Sequence, residues 1–497
     1  MNRYISSRNR NDIVTAHQAI IKGLSNDGGL YTIDEIKAHI DPSEVLHQSY
    51  QQTAERILSI MLDDFTAEEM HACVMGAYDE KFDTPQIVPL TKINDGWLME
   101  LWHGPTCAFK DIALTILPRL LTTSTKKDNK QEIISILTAT SGDTGKAALE
   151  GFKDVPGTAI TVFYPEVGVS NIQKKQMATT GGNNVEVIAV KGNFDDCQRM
   201  VKQAASDPLV LASLDGVSIS SANSINVGRL MPQIVYYYTS YAKLVESGDI
   251  ACGDKVNFVV PTGNFGDILA GYFAKQLGLP VNRLICASNT NNVLTDFLNT
   301  GVYSIHRDFT PTISPSMDIL ISSNLERLLF MASGYDDAFV SEMMKKLSTE
   351  GSYTVPENIM AVIRETFSGY WTDEDTCRKT IGDLFRNEHV LIDPHTAVAL
   401  AAKKKHEEET GDHTPSIILS TASPYKFTHD VLACIDGEDI QDDFVAMERL
   451  HELSGVKVPP SLAALKDMDI RFTRSIEISS GMQVIAERMK VIGNVHD

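Results

Sequence analysis

Lys110 closes the stretch His103-Gly104-Pro105-Thr106-Cys107-Ala108-Phe109-Lys110-Asp111 and runs straight into the apolar segment IALTILPRLL. An ammonium at the mouth of an apolar segment is poorly solvated. It either snorkels outward on its aliphatic stem, or it loses charge readily and serves as a nucleophilic amine. The lysine alone does not decide between the two; the loops that share its surroundings do.

Two of those loops have the makings of ligand cradles. In PTGNFGD, Gly263 and Gly266 bracket Asn264 and Phe265 between a β-rich run and a helical pattern, and Asp267 follows. Glycines let a backbone approach a bound group closely. A helix start adds free N–H donors and the positive end of its dipole, which together suit a phosphate. The spacing is neither G-x-x-x-x-G-K-[ST] nor G-x-G-x-x-G, and a tight strand-to-helix turn explains the same glycines. A near-copy, KGNFDD, has Asp195 in place of the second glycine and Asp196 after it. Two carboxylates there satisfy the dipole themselves, so the copy reads as a capped structural turn. In the intact loop, Asp267 is expected to cap the helix while the glycine N–H groups face a ligand.

The second cradle is TATSGDTGKAA, where Ser141, Gly142, Asp143, Thr144 and Gly145 open another helix. One such residue suffices as an N-cap; five in a row suit a carboxylate ligand. An amine nucleophile beside phosphate donors calls for a phosphorylated aldehyde. Pyridoxal phosphate is that guest, held as a Schiff base.

Several elements must position these loops. From about residue 133, β-rich runs (IISIL, AITVFY, VEVIAV, KVNFVV, SIILS) alternate with helical patterns through glycine-rich or hydroxyl-rich loops. That alternation predicts crossover units and a parallel sheet. Ligands of such sheets sit beyond the carboxyl ends of the strands. SINVGRLMPQIVYYYTSYAKLV predicts one long buried helix. The first ~90 residues differ, with helical apolar spacing in DPSEVLHQSYQQTAERILSIMLDDF and TAEEMHACVMGAYDEKF. We therefore expect a mainly helical N-terminal domain over 1–92, a smaller domain over 93–225 with Lys110 and the TSGDTG loop, and a larger one over 226–497 with the GNFGD loop. The segment 300–390 contains the irregular, proline-containing HRDFTPTISPSMDI and has no clear period.

At 497 residues the chain exceeds one ordinary core, and its 43% hydrophobic and 22% charged content is that of a soluble globular protein. A formal net charge of −21 argues against nucleic-acid binding. It also requires a local concentration of donors for any anionic ligand. No apolar run approaches the ~18 residues of a membrane span, and MNRYISSRNRND lacks a secretory apolar core, so a cytoplasmic location is expected. Seven scattered cysteines without a C-x-x-C pair read as reduced thiols with no metal site.

HGPTCAFKD, TSGDTG, PTGNFGD and STASPYKF, in this order, together with GLSNDGGLY and NSINVGRLMPQIVYYY, resemble the threonine synthase family. These are fold-type-II pyridoxal-phosphate enzymes: two open, mostly parallel α/β sheet domains with helices on both faces, here with the extra N-terminal domain of the longer members. The resemblance implies that Lys110 is the Schiff-base lysine and that Gly263, Asn264, Phe265, Gly266 and Asp267 hold the cofactor phosphate. It implies that Thr421 bonds the pyridine nitrogen, and that Ser141, Asp143 and Thr144 lie near the substrate carboxylate and the cofactor's ring oxygen. Ser423 and Cys107 depart from the family's usual His and larger apolar residue.

The implied reaction converts O-phospho-L-homoserine and water into L-threonine and phosphate, by a monomer or homodimer with no nucleic-acid or membrane partner. A related phospholyase on another phosphorylated amino acid is the alternative. Candidate donors for the substrate phosphate are Asn223, Ser224, Asn226 and Arg229; helix capping, with Arg229 on the surface, is the competing reading. Met231, Tyr236 and Tyr237 read as core, and His395 as a helix-start or packing residue.

Overall fold

Strands buried along their whole length build the two principal sheets. The computed structural model describes residues 1–128, 132–140, 142–166, 169–204 and 206–493, with Asp195 described by its backbone alone. Sixteen strands occur among these residues: β1 (Tyr4–Ser6), β2 (Asn9–Val14), β3 (Tyr31–Ile33), β4 (Leu90–Ile93), β5 (Gly96–Glu100), β6 (Ile133–Ala139), β7 (Thr158–Pro165), β8 (Val185–Lys191), β9 (Val217–Ser220), β10 (Val256–Pro261), β11 (Val281–Ser288), β12 (Val302–Ser304), β13 (Ser352–Thr354), β14 (Phe367–Trp371), β15 (Ser416–Ser420) and β16 (Ser475–Glu477).

The larger sheet has the order β14-β11-β10-β15-β5-β4 and is parallel except for the β4–β5 hairpin at its edge. The smaller sheet, β16-β8-β7-β6-β9, is parallel throughout. Every residue of β6, β10 and β15 is buried, which a parallel sheet covered by helices on both faces requires. The five runs read from the sequence are β6, β7, β8, β10 and β15. Sheet membership does not follow chain order. β4 and β5 precede residue 225 yet join the larger sheet, and β16 comes near the C-terminus yet edges the smaller one. Composition cannot reveal this, because a strand's partner is fixed by crossover geometry and not by its own residues.

Near the N-terminus, the helices Tyr50–Met61 and Ala67–Ala77 each open with a capping box, Ser49 with Gln52 and Thr66 with Glu69. A small antiparallel sheet, β2-β1-β3, accompanies them. Its strands are short, and β2 is polar and mostly exposed, so no alternation marked it in the sequence. The long helix expected over 224–245 is interrupted: Val227–Leu230 and Ile234–Glu246 flank a 3-10 turn at Met231–Gln233. Pro232, with no N–H to donate, accounts for the break. No helix among the described residues is long and apolar enough to cross a membrane.

Candidate active site

The carboxyl ends of β5, β6, β10 and β15 deliver four loops to one cleft. β5 leads to Lys110, and β15 leads to Thr421 and Lys426. The two loops are stitched together: the Leu101 N–H donates to Ser420 O (2.9 Å), Phe109 N–H to Thr421 O (2.8 Å) and Ser423 N–H to Cys107 O (3.1 Å). The turn before the lysine is fixed from within, where Asp111 accepts from the Thr106 N–H (2.8 Å) and hydroxyl (2.6 Å). Lys110 therefore begins its short helix already aimed into the cleft instead of snorkelling to solvent; it is 9% exposed.

From the smaller sheet, the helix Asp143–Phe152 brings Asp143 across. Its carboxylate lies 3.6 Å from Lys110 Nζ and 2.5 Å from Lys426 Nζ, and it accepts from Gln173 Nε2 at 2.9 Å. Burial alone would raise the Asp143 pKa, but Lys426 and Lys110 outweigh it and hold the carboxyl well below its usual range. Burial brings Lys110 down to about 8; Asp143 opposes this, while Lys426 and Arg229 add to it. The result is an amine with an appreciable neutral fraction near physiological pH. Gly142 stands at φ +146°, and a Cβ there would meet the Gln173 amide at 2.4 Å, so the loop needs glycine to let Gln173 reach Asp143. Thr144 follows in the same helix. Ser141 lies outside the described residues. An ionised Asp143 repels a substrate carboxylate; the structure sets it against the lysines.

The GNFGD loop follows β10. Phe265 is left-handed at φ +61°, which costs about 1–2 kcal/mol. Burying its ring, 5.5 Å from that of Phe367, contributes about 2–3 kcal/mol and offsets the strain. The helix Gly266–Gln276 then starts with no side-chain cap. This corrects the expectation for Asp267. Its carboxyl turns away to accept from Tyr236 (2.6 Å) and Tyr237 (3.0 Å), and burial lifts it to about 6 against those two donors. Tyr236 and Tyr237 are core residues, as expected, and they hold Asp267 beneath the loop. The copy at 192–196 does behave as a capped turn, with Asp196 accepting from the Asn193 N–H at 3.0 Å.

Of the four phosphate candidates, Arg229 and Ser224 approach the cleft. Arg229 is 5% exposed, which overturns the surface reading. It donates to Ala222 O at 2.8 Å, and its Nε has no partner among the described residues. Burial lowers its pKa to about 10, so it remains a cation. Ser224 Cβ lies 3.3 Å from where a Cβ on Gly266 would stand, and its hydroxyl accepts from Asn324 Nδ2 at 3.0 Å. Asn226 is a capping residue: its carbonyl accepts from the Gly228 N–H (2.9 Å), and its amide donates to Ile20 O (2.9 Å) and Ser221 O (3.2 Å). Asn223 contributes its carbonyl to the same turn, accepting from the Asn226 N–H at 3.0 Å.

Sequence reasoning missed Ser316, which sits in the irregular loop after β12. Its hydroxyl lies 3.4 Å from Lys110 Nζ and 3.5 Å from Asp143 Oδ2. Its N–H donates to His395 Nε2 (3.2 Å), and His395 Nδ1 faces Asp393 (2.7 Å). His395 is indeed at a helix start, and from there it anchors the Ser316 loop. Lys426 was legible by the argument applied to Lys110, a lysine just past a turn signal at a strand's end.

A family model described as pyridoxal-phosphate dependent enzyme matches residues 82–421; models of the threonine synthase N terminus and the threonine synthase C-terminal region match 3–78 and 396–479. Threonine synthase of Pseudomonas aeruginosa is 37% identical over 438 residues, covering 86% of this chain and 88% of that protein. This chain belongs to the threonine synthase family. The pyridoxal-phosphate-bound threonine synthase of Brucella melitensis has the same fold, with a TM-score of 0.88 at 34% identity over 99% of this chain and 100% of that one. Yeast threonine synthase gives 0.87 at 31% identity, over 98% of each chain. Threonine synthase-like 1 of Homo sapiens is 34% identical over 460 residues, 90% of this chain; the chain spans 61% of that relative's length.

The cofactor of this threonine synthase family member is pyridoxal phosphate, and the residues present fit it. A buried amine faces the cleft. A Cβ on Gly263 would stand 2.6 Å from Ser316 O, so the loop there is bare backbone at close quarters. Lys110, Lys426 and Arg229 provide the local positive charge that a chain of net charge −21 needs for an anionic guest. Among the described residues, no group of His, Cys, Asp and Glu is placed to hold a metal ion.

Proposed function

We propose that the protein converts O-phospho-L-homoserine and water into L-threonine and phosphate, with Lys110 as the amine that binds the cofactor. The observation that carries this reading is the pairing of a buried amine of lowered pKa with a buried guanidinium whose Nε has no partner among the described residues. Pyridoxal phosphate, when bound, supplies an aldehyde for an amine and a ring that takes up electrons from a deprotonated carbon. Gly263 to Gly266 and the helix start behind them would hold its phosphate, and the Thr421 hydroxyl would bond its ring nitrogen. A neutral hydroxyl there withdraws less charge than a carboxylic acid partner does.

Lys110, when not bound to the cofactor, would be the base that removes the substrate Cα proton. A Cβ proton is removed in turn, and of the protons released from Cα, from Cβ and from the added water, one goes to Cγ after phosphate departs, one returns to Cα and one leaves on the phosphate. Ser316 and Asp143 keep Nζ on that side of the cleft, and water adds at Cβ. Arg229 Nε and the Ser224 hydroxyl hold the γ-phosphate and stabilise it as it leaves. Asn223 borders this site. Seven unpaired thiols suit a reducing, cytoplasmic compartment, and the reading carries a monomer or homodimer.

The alternative reading is phosphate elimination from a related phosphorylated amino acid. Incubation with O-phospho-L-homoserine separates the two. Equimolar threonine and phosphate support the proposal. Phosphate without threonine supports the phospholyase, and efficient turnover of unphosphorylated homoserine contradicts both.

A further inference from the structure

We infer that Arg327 is a positioning residue for the loop that takes the substrate phosphate, and that through it the N-terminal sheet takes part in substrate recognition. This rests on the function proposed above. Arg327 is among the largest fully buried side chains in the molecule, at 0% exposed. Burial lowers its pKa to about 10 against the opposing effect of Glu326, so it stays charged at neutral pH. Among the described residues no carboxylate pairs with it. Its donors go instead to backbone carbonyls and one amide: Nε to Tyr31 O at 2.9 Å, Nη2 to Ile225 O at 2.5 Å, and Nη1 to Ser224 O at 3.5 Å and to Asn324 Oδ1. A desolvated guanidinium without a counter-ion is costly. Here it fixes three separate pieces of chain around one point.

Those pieces are β3, the phosphate loop and Asn324, which leads on to the cofactor loop. Asn324, held by Arg327, donates in turn to Asn264 O (3.0 Å) and to the Ser224 hydroxyl (3.0 Å). The Ser224 and Ile225 carbonyls point at Arg327. Because the peptide is planar and trans, the following N–H groups turn the opposite way. The Ile225 N–H has no acceptor among the described residues. Without Arg327, those carbonyl oxygens would be free to turn toward the γ-phosphate and repel it.

The N-terminal segment completes the clamp. Glu326, next to Arg327, accepts from the Ser7 hydroxyl (2.6 Å), Arg8 Nε (2.8 Å) and Arg8 Nη2 (2.7 Å). The helix Ala16–Lys22 takes both ends of the same loop, with Ile21 O accepting from the Ser220 hydroxyl (3.0 Å) and Ile20 O from Asn226 Nδ2 (2.9 Å). None of these groups reaches Lys110, so they act through the phosphate loop and leave proton transfer to Lys110.

The test compares the unsubstituted holoenzyme with Arg327→Lys, which keeps the charge but cannot serve all these acceptors, and Arg8→Ala, which loosens the clamp from its outer side. Four quantities are read: the cofactor absorbance band, kcat, KM for O-phospho-L-homoserine, and the inhibition constant of inorganic phosphate. Arg327→Lys is expected to keep the band and kcat within about twofold, while KM and the phosphate constant both rise about tenfold or more. Arg8→Ala moves the same two constants the same way by about two- to threefold. Constants unchanged in cofactor-loaded Arg327→Lys overturn the inference, as does loss of activity in step with loss of cofactor. If Arg327→Lys does not fold, Arg8→Ala decides by the same two constants. Failure of the unsubstituted protein to turn over the substrate is a separate result, one that removes the proposed function and this inference with it.

Discussion

Two ammonium groups share one carboxylate in the cleft, and their competition sets the reactivity of Lys110. Lys426 holds Asp143 at 2.5 Å and Lys110 stands off at 3.6 Å. Replacing Lys426 by Met removes a neighbouring cation and releases Asp143 to pair with Lys110. Both changes favour the Lys110 ammonium. The rate of cofactor loading, which requires neutral amine, should rise with pH through a midpoint near 8 in the unsubstituted protein. In Lys426→Met the midpoint moves to higher pH; stopped-flow absorbance checks this, and a midpoint that stays or falls contradicts it. Arg229→Ala removes charge-assisted bonds worth about 1.5–3 kcal/mol each. It should lower kcat/KM for phosphohomoserine on the order of 100-fold while leaving the cofactor spectrum intact, and near-normal kinetics would exclude Arg229 from the phosphate site. Lys110 was legible in the sequence because its surroundings are local. Ser316 was not, because its function depends on a loop folded back from more than 200 positions away in the chain.

The loops hold their shapes through contacts that can be weakened one at a time. Gly263→Ala places a methyl against the Ser316 carbonyl, an overpacking of about 1–3 kcal/mol. It should weaken cofactor affinity and disturb the Ser316 loop; equilibrium dialysis against pyridoxal phosphate measures it, and an unchanged affinity would mean that the loop yields freely. At the other end of the lysine turn, His103 contacts Asp83 (2.6 Å) and Glu100 (2.9 Å). Burial would lower its pKa, but the two carboxylates outweigh burial and lift it to about 9. A raised pKa means stabilisation that is complete below the unfolded value near 6.5 and lost as pH rises through 9. The deficit in melting temperature of His103→Gln should therefore be largest near pH 6 and fade above pH 9; a deficit independent of pH would show that only packing is lost. The β-runs of the sheet centres were readable because strands buried on both faces are continuously apolar. The edge strands β4, β14 and β16 are short or partly exposed and lack that mark, and the GNFGD loop revealed its glycines but not that Asp267 faces inward.

Lys110 reaches the cleft from the larger sheet and Asp143 from the smaller, so a ligand seated between them joins the two halves of the molecule. Stripping the cofactor should lower the melting temperature, and restoring it at 100 times its dissociation constant should return about 2.7 kcal/mol. The net charge of −21 argues against nucleic-acid partners and requires a local cluster of cations; Lys110, Lys426 and Arg229 form it. What no local pattern revealed is the interleaving of the sheets by distant strands. The central claim is that one buried amine in this cleft carries the chemistry, and peptide mapping by mass spectrometry after borohydride reduction of the holoenzyme tests it most directly. The cofactor adduct is predicted on Lys110 alone, and absent with turnover in Lys110→Ala. An adduct on Lys426 or Lys146 would contradict the account.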